Sequence, residues 1–298
     1  MRAWRAHELG APEAVLRLEE LDDPVAGPGQ VVVKVAACAL NFPDNLVLAG
    51  EYQEKPPLPL TPGMEVGGTV EAVGAGVGIA IGTRVLALAM MPNGGLAERM
   101  VTHERAVHAI PDSMSFEEAS ALWVTYQTGH VALHRRADLR AGETLLVHAA
   151  AGGVGSAAVQ LGKAAGATVI ATAGGPDKVK VALDLGADIA IDYRAEDFVA
   201  VVKDATGGRG ADVIYDPVGG EIFDRSRKVI AWEGRLLIIG FTSGRIPEVS
   251  VNHLLLKNYS VVGVHWARYN MMNPALVEEV AADLFRLFEE GHVKPLIG

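Results

Sequence analysis

The sequence predicts an α/β protein in two parts, a β-rich part followed by a doubly wound parallel sheet. Short β-type runs separated by turn residues fill the chain up to about residue 107. From residue 143 onward, strands alternate with helices, which is the pattern of a parallel sheet covered on both faces. The glycine-rich segment HAAAGGVGS, residues 148–156, stands between the first strand and the first helix of this second part. The length of 298 residues agrees with two domains, or with one domain that carries a large insertion.

The first part contains four predicted strands. They are short apolar runs bounded by turn residues, at 30–36 (QVVVKVA), 67–73 (GGTVEAV), 84–89 (RVLALA) and 98–101 (ERMV). The proline-rich segment KPPLPLTP, residues 55–62, is neither helix nor central strand, because proline lacks the backbone donor that both structures use. We expect this segment to form a loop that walls a pocket.

A helix is predicted to begin at Ser115, where the chain changes character. Ser115 and Glu118 have the spacing of a capping box, and apolar residues follow at helical intervals. The alternating part then predicts strands at 144–148, 168–172, 189–192, 213–215, 236–239 and 260–265, with helices from about residues 155 and 177, around residues 196 and 223, and at 274–290.

Composition and charge exclude several classes of function. Lys+Arg 26 against Asp+Glu 36 leaves a formal charge of -10, which disfavours a broad surface for nucleic acid or anionic lipid. The single cysteine, Cys38, can form neither an intramolecular disulfide nor a multi-thiolate zinc site, so a reducing, cytoplasmic location is expected. The N-terminus lacks the apolar core of a signal peptide, and the uncharged run at 144–162 suits a strand, turn and helix better than a membrane span.

The glycine-rich segment predicts a dinucleotide site. Gly152 and Gly153 permit a tight turn and close approach of the backbone to a ligand, whereas Gly155 lets the following helix pack closely. The helix N-terminus, including Val154, then offers amide groups to a pyrophosphate. A tight connection without a ligand is the alternative, but the strand, the helix and the βαβ pattern around the glycines favour binding.

The end of the second strand of this part favours NADPH over NADH. An NAD site usually carries an acidic residue there, but this chain has Ala173, Gly174 and Gly175. Lys178 follows closely, and Tyr193 with Arg194 ends the next strand, so a lysine charge and a phenol hydroxyl can meet a 2′-phosphate. The alternative is that these charges are ordinary solvated side chains.

Several segments together resemble the medium-chain dehydrogenase/reductase superfamily, and within it the zinc-independent quinone oxidoreductases. The resemblance implies a GroES-like catalytic domain at 1–120, a Rossmann NADPH-binding domain at 121–265, and a C-terminal return to the catalytic domain at 266–298 that is shorter than usual. The matching segments are ALNFPDNLVLAGEY (39–52), PGMEVGGTVEAVG (62–74), HAAAGGVG (148–155) with Gln160 and Lys163, IDYRAEDF (191–198), YDPVGG (215–220) and GRLLIIGFTSG (234–244).

No metal site is predicted. Zinc-dependent members of the superfamily have a cysteine and a histidine ligand where the resemblance places Asn41 and Met64. An amide and a thioether cannot replace thiolate and imidazole as strong zinc ligands. His130 and His134 have helical i, i+4 spacing, but without an evident third ligand we expect paired surface or interface histidines.

The resemblance also implies roles for individual residues. Asn41 and Thr128 are expected at the nicotinamide end, Asp44 and Tyr52 in the substrate pocket, and Gly240 and Phe241 along the cofactor. Each has a structural alternative, such as a cap, a turn or a half-buried loop aromatic. Homodimers that pair their Rossmann sheets through strand 261–264 are also expected from the resemblance.

The expected chemistry is hydride transfer from NADPH to a quinone or a similar activated carbonyl. A quinone accepts hydride readily and its anion takes a proton from water, so positioning matters more than acid-base catalysis. One alternative is reduction of an activated double bond in an enone, alkenal or enoyl thioester, in which Tyr52 becomes a candidate proton donor. The other is a non-catalytic NADPH-binding redox sensor or structural protein.

Overall fold

The computed structural model describes all residues, Met1–Gly298, and divides into two compact units. The first comprises Met1–Val124 with Leu296–Gly298, and the second comprises Thr125–Pro295. None of the helices combines the length and the apolar character needed to cross a membrane. The boundary lies within one helix, four residues after the predicted position at 120, and of the segment 266–298 only the last three residues belong to the first unit.

The first unit is built on antiparallel strands, as its short apolar runs predict. Its elements are β1 (Arg2–Ala6), α1 (Pro12–Val15), β2 (Leu16–Glu20), β3 (Gln30–Ala39), α2 (Phe42–Ala49), β4 (Glu65–Val73), β5 (Arg84–Leu88), β6 (Arg99–His103), β7 (Val107–Ala109) and the start of α3 (Phe116–His130). Strands β3 to β7 form a five-stranded sheet in the order β6-β3-β4-β5-β7, and β1 pairs with β2. The hairpin β1–β2 and helix α2 were not predicted.

Valine dominates the core of the five-stranded sheet. Val31, Val33, Val66, Val70 and Val85 are at most 1% exposed and pack together from three strands. Their β-branched side chains suit a pleated, buried surface. A second apolar cluster lies under α2 and joins Ala6, Val15, Val47, Leu48 and Leu60. These clusters support the segments on both sides of Asn41.

Helix α3 begins with the predicted capping box. The Glu118 backbone N–H donates to Ser115 Oγ at 3.1 Å, and the Ser115 N–H donates to the Glu118 carboxylate at 2.9 Å. The two side chains therefore satisfy backbone donors that have no partner inside the helix. After His130 the chain continues as a π-helix over Val131–Arg136.

The second unit is a doubly wound parallel sheet. Its six strands follow the order β10-β9-β8-β11-β12-β13, and every pair is parallel. The remaining elements are β8 (Thr144–Val147), α4 (Gly153–Ala164), β9 (Thr168–Ala173), α5 (Pro176–Asp184), β10 (Ile189–Asp192), α6 (Phe198–Ala205), β11 (Ala211–Asp216), α7 (Gly220–Ser226), β12 (Ile230–Ile238), α8 (Val251–Lys257), β13 (Ser260–Gly263), α9 (Tyr269–Met272) and α10 (Pro274–Glu289).

Continuous apolar runs explain the central strands of this sheet. All four residues of β8 are buried, as expected for a parallel strand that is covered on both faces. The predicted strands are confirmed within a few residues, except that β12 begins at Ile230, six residues before the predicted start. Helix α8 was not predicted. The α/β prediction with a β-rich part and a doubly wound sheet is confirmed.

Candidate functional site

The second unit offers a ligand position at the switch point of its sheet. The carboxyl ends of β8 and β11 lie side by side there, while the chain order runs outward in opposite directions from them. Ligands of open α/β sheets bind outside the carboxyl ends of strands at such a point. The glycine-rich loop follows β8, and the loop 217–219 follows β11.

The glycine loop has the close packing that the sequence predicts. A Cβ atom on Gly155 would lie 2.2 Å from the Ala149 carbonyl oxygen and 2.9 Å from Ala150 Cα. Gly155 therefore permits contact between the first turn of α4 and the preceding loop. Gly152 is the exposed N-cap of α4, Gly153 is its exposed first residue, and Val154 is half-buried.

The start of α4 suits a pyrophosphate. The first turn carries no acidic side chain, and the first amides of a helix lack acceptors within the helix. Exposed glycines leave room for close approach of phosphate oxygens, and the helix dipole favours negative charge. Thr125 on α3 faces the same turn, with its Cγ2 atom 3.1 Å from where a Gly153 Cβ would stand. Thr128, predicted at the nicotinamide end, is half-buried on the same helix.

The end of β9 brings Tyr193, which was predicted to meet a 2′-phosphate, together with Arg194, which was not assigned to that contact. A Cβ on Gly174 would lie 2.6 Å from Tyr193 Oη and 3.2 Å from Arg194 Nε, so the phenol and the guanidinium occupy the space beside this glycine. Asp192 Oδ1 accepts the backbone N–H groups of both Gly175 and Arg194, at 2.9 and 3.0 Å, and fixes the two turns together. Lys178 is exposed on the first turn of α5.

Two loops beyond β11 and β12 are joined by backbone hydrogen bonds. The Thr242 N–H donates to the Pro217 carbonyl at 3.1 Å, and the Ser243 N–H donates to the Val218 carbonyl at 3.0 Å. Gly240 is half-buried, and Phe241 is 36% exposed at the edge of these loops. This arrangement holds Gly240 and Phe241 on the side of the sheet where the glycine loop lies, because both loops follow carboxyl ends of parallel strands.

In the first unit, Asn41 is held by two carboxylates. Its backbone N–H donates to Asp44 Oδ2 at 2.8 Å, and its side-chain Nδ2 donates to Glu65 Oε1 at 2.8 Å. Asp44 also accepts the Gly63 N–H at 2.9 Å, so it ties the start of α2 to the segment before β4. Asn41 is the N-cap of α2 and Asp44 its third residue, which is one of the structural roles that the sequence allowed.

Glu65 is a buried carboxylate that sequence reasoning gave no role. It is 0% exposed, and its second oxygen accepts the Val124 N–H at 2.9 Å. Burial, with a smaller contribution from the nearby Asp44, raises the pKa of Glu65 to about 7 in spite of the hydrogen bonds from Asn41 and Val124, which act to lower it. Burial likewise raises the pKa of Asp44. The signal for Glu65 was present in the sequence as an acidic residue inside a valine- and glycine-rich strand.

Tyr52 lies at the edge of the apolar cluster under α2. It is half-buried, packs against that cluster, and its N–H donates to the Leu46 carbonyl at 3.1 Å. Burial raises the pKa of its hydroxyl, and the neighbouring carboxylates of Glu54 and Asp44 raise it further. The hydroxyl therefore keeps its proton at neutral pH, which is the state that a hydrogen-bond or proton donor needs.

The paired histidines lie on α3 and its π-helical continuation, packed against α10. His130 Nε2 is 2.8 Å from Asp283 Oδ2, and the ring centroids of His130 and His134 are 4.5 Å apart. Burial, with a smaller contribution from His130, lowers the pKa of His134 to about 4. Of the surface and interface positions that the sequence allowed, the structure has half-buried rings that pack between helices, with the His130 side chain 14% exposed.

Comparisons with known proteins agree with this architecture. Residues 27–112 match the alcohol dehydrogenase GroES-like domain, and residues 153–282 match the zinc-binding dehydrogenase domain. The quinone oxidoreductase-like protein 2 homolog of Nematostella vectensis is 39% identical over 294 residues, which cover 98% of this chain and 80% of that protein.

Two solved structures extend the comparison. Escherichia coli quinone oxidoreductase complexed with NADPH is 30% identical, with a TM-score of 0.89 and coverage of 100% of this chain and 91% of that chain. The CurK enoyl reductase is 30% identical, with a TM-score of 0.88 and coverage of 99% and 90%. The predicted GroES-like and Rossmann parts are therefore confirmed.

The donor groups in the first unit do not fit the zinc that one of these domain names suggests. Asn41 donates its amide hydrogen to Glu65 and supplies no thiolate, and Met64 supplies a thioether where an imidazole would be required. Burial raises the pKa of Cys38 to about 12, so its thiol stays protonated. No group of three or more His, Cys, Asp or Glu side chains is arranged to hold a metal.

Proposed function

This chain belongs to the quinone oxidoreductase family of the medium-chain dehydrogenases/reductases, and from that premise we propose that it transfers hydride from NADPH to quinones or similar activated carbonyls without zinc. The observation that carries the proposal is the end of β9, where Tyr193 and Arg194 flank Gly174 and the strand is followed directly by two glycines, with Asp177 the first acidic residue, on the first turn of α5. A phenol and a guanidinium complement a 2′-phosphate, whereas a carboxylate would repel it.

The dinucleotide fits residues along the switch point of the second unit. The proposed pyrophosphate position lies at the start of α4 and consists of Gly152, Gly153, Val154 and Gly155. The proposed adenosine end consists of Gly174, Lys178, Tyr193 and Arg194. Thr128, Gly240 and Phe241 are proposed to lie along the nicotinamide half. NADPH, when bound, supplies the hydride.

The first unit supplies the acceptor side in this proposal. Glu65 accepts one amide hydrogen of Asn41 and so fixes the orientation of that amide. Asp44 fixes the backbone of Asn41 and is itself 3% exposed, so we assign it a positioning role. Tyr52 keeps a protonated hydroxyl at the edge of its apolar cluster. These groups orient an acceptor and exclude water, which suffices for a quinone that already accepts hydride readily.

The proposal is tested by following oxidation of NADPH and NADH with purified protein. The acceptors are 1,4-benzoquinone, a naphthoquinone and an unsaturated ketone at matched concentrations. We expect turnover of the quinones with NADPH in preference to NADH. Preference for the unsaturated ketone would move the assignment to double-bond reduction, and tight NADPH binding without turnover of any acceptor would identify a non-catalytic member.

Double-bond reduction is the second candidate, because the CurK enoyl reductase shares the fold and Tyr52 is available as a donor. Hydride addition to an enone creates an enolate that needs a proton, whereas a reduced quinone collects its proton from water. If Tyr52 donates that proton, Tyr52→Phe lowers kcat for the unsaturated ketone by about a hundredfold and kcat for benzoquinone by much less. Steady-state rates of the same preparation with both acceptors provide the control, and equal losses would contradict proton donation.

The choice of cofactor gives a further prediction. Arg194→Ala is expected to raise the Kd for NADPH by about tenfold, because it removes a charge-assisted contact to the 2′-phosphate. The Kd for NADH is expected to stay unchanged, since NADH lacks that phosphate. Quenching of protein fluorescence measures both constants. Arg140→Ala is the matched control, since Arg140 is exposed in the same unit and pairs with Asp138. Equal weakening of NADPH and NADH would remove Arg194 from the 2′-phosphate site.

A homodimer is part of the same proposal. Strand β13 pairs with β12 at the end of the sheet, so its other edge carries backbone groups available to a second copy. The adjacent helix α8 exposes Val251, Leu255 and Leu256, each more than two-thirds exposed. A second copy that extended the sheet would cover both features. Cys38, half-buried and the single cysteine of the chain, cannot form an intramolecular disulfide, which supports a reducing, cytoplasmic location.

A further inference from the structure

His148 stands between β8 and the glycine loop and uses both of its ring nitrogens. His148 is only 1% exposed. Its Nδ1 lies 3.0 Å from Thr172 Oγ1, and its Nε2 lies 2.8 Å from Ser226 Oγ. Its ring also meets Phe198 edge-on. Burial, with a smaller contribution from the positive charge of Arg225, lowers the pKa of His148 to about 3. The imidazole is therefore neutral at physiological pH.

The hydrogen bonds of Ser226 determine the tautomer of this ring. A serine hydroxyl has one hydrogen, and Ser226 Oγ donates it to the Ile222 carbonyl at 2.7 Å. Ser226 Oγ must therefore accept from His148, which places the imidazole hydrogen on Nε2. Since a neutral imidazole carries one N–H, Nδ1 is an acceptor and Thr172 donates to it.

Thr172 is bound to the start of the glycine loop in two ways. Its hydroxyl donates to His148 Nδ1, and its backbone carbonyl accepts the Ala150 N–H at 3.0 Å. Thr172 lies in β9, two residues before Gly174. These two hydrogen bonds therefore tie the start of the glycine loop to β9 directly beyond the last pair of the β8–β9 ladder, Val147 and Ala171.

We propose that His148, as its neutral Nε2–H tautomer, is a positioning residue that acts through Thr172 to fix the pyrophosphate loop relative to the adenosine end of the dinucleotide site. This role rests on the proposed function, because the ligand is the NADPH assigned above. A satisfied core histidine without such a role would contribute stability alone. His148 differs because its partner Thr172 leads directly into the turn beside Tyr193 and Arg194.

Substitutions at Thr172 test the role without changing the histidine. Thr172→Val preserves shape and β propensity but removes the donor to Nδ1, and Thr172→Ser retains it. We expect Thr172→Val to raise the Kd for NADPH by about tenfold, the value of one buried hydrogen bond, and Thr172→Ser to stay near the parent value.

A threonine remote from the switch point provides the matched control. Thr206 is also buried, donates to the Val202 carbonyl at 2.7 Å and accepts the Gly210 N–H at 3.0 Å, near the amino end of β11. Thr206→Val is expected to lower Tm while leaving the Kd for NADPH unchanged. Equal effects of Thr172→Val and Thr206→Val on Kd, or no effect of either, would overturn the positioning role.

The tautomer is checked by nitrogen-15 NMR of the imidazoles, with His148 assigned by comparison with His148→Gln. We expect a protonated Nε2 that does not titrate between pH 5 and 8. A proton on Nδ1, or titration in that range, would contradict the proposed hydrogen bonds of His148 to Thr172 and Ser226. A parent protein that binds neither NADPH nor NADH would instead contradict the proposed function. The NMR spectrum would still decide whether His148 forms the proposed hydrogen bonds with Thr172 and Ser226.

Discussion

Gly155→Ala is expected to destabilise the second unit by about 3 kcal/mol or more and to abolish dinucleotide binding. The added Cβ would lie 2.2 Å from the Ala149 carbonyl oxygen and 2.8 Å from its carbonyl carbon. These are backbone atoms of the glycine loop, so no side-chain rotation can relieve the overlap. The loop would have to move away from the first turn of α4, and the proposed pyrophosphate position would be lost with it.

Thermal unfolding and NADPH titration measure the two effects separately. Gly152→Ala is the matched control, because its Cβ would meet only the Ala149 carbonyl oxygen at 3.3 Å and its φ of −89° is allowed for alanine. We expect this control to keep its Tm within a few degrees and to bind NADPH more weakly, since the methyl group intrudes on the ligand side. A Gly155→Ala protein with the parent Tm would show that the packing of this turn is less tight than the geometry indicates.

Glu65→Gln is expected to lower the free energy of unfolding by about 2 kcal/mol at pH 8, where the Glu65 carboxyl, with its pKa raised to about 7 by burial, is ionised in the folded protein. Both carboxylate oxygens accept N–H groups, one from Asn41 Nδ2 and one from the Val124 backbone. A glutamine amide has one oxygen, so its NH₂ group would face one of these donors. Asn41 would then lose its fixed orientation, and we expect kcat for benzoquinone to fall by about tenfold to a hundredfold.

Denaturant unfolding and steady-state kinetics check these effects. Glu71→Gln is the control on the same strand, because Glu71 is partly exposed and pairs with Arg99 near the surface. A surface pair of this kind contributes about 0 to 1 kcal/mol, so its loss is expected to leave kcat unchanged. If the two variants behave alike, Glu65 has no special role in holding Asn41.

The same carboxyl predicts a pH dependence whose sign is fixed by its raised pKa. Because the pKa of Glu65 rises from 4.5 in the unfolded chain to about 7 in the folded protein, the folded state binds the proton more tightly. Its contribution is fully present below pH 4.5 and is lost as the pH rises through 7, by about 1.4 kcal/mol per pH unit between these values. The parent protein should therefore lose stability relative to Glu65→Gln between pH 5 and 8. A difference that is constant or grows with pH would show that the two donors hold the carboxylate ionised.

Local features of this protein could be predicted from the sequence because each depends on neighbouring residues. The capping box at Ser115 and Glu118 needs only a spacing of three residues. The glycine loop before α4 and the alternation of strands and helices are likewise read from consecutive positions. Together they determined the Rossmann part and the position of its glycine loop, and the segments that resemble a known family extended this to the β-rich part.

Contacts between distant segments were decided by the tertiary structure alone. Glu65 meets Asn41 across 24 residues, and His148 meets Ser226 across 78. The sequence does not indicate that Asn41 meets Glu65 and not another carboxylate, or that His148 meets Ser226 and not another hydroxyl. Burial then changes their chemistry, raising the pKa of Glu65 and keeping His148 neutral, because removal from water penalises the charged form of each group. A sequence states which ionisable groups exist, but packing decides which of them lose water and what replaces it.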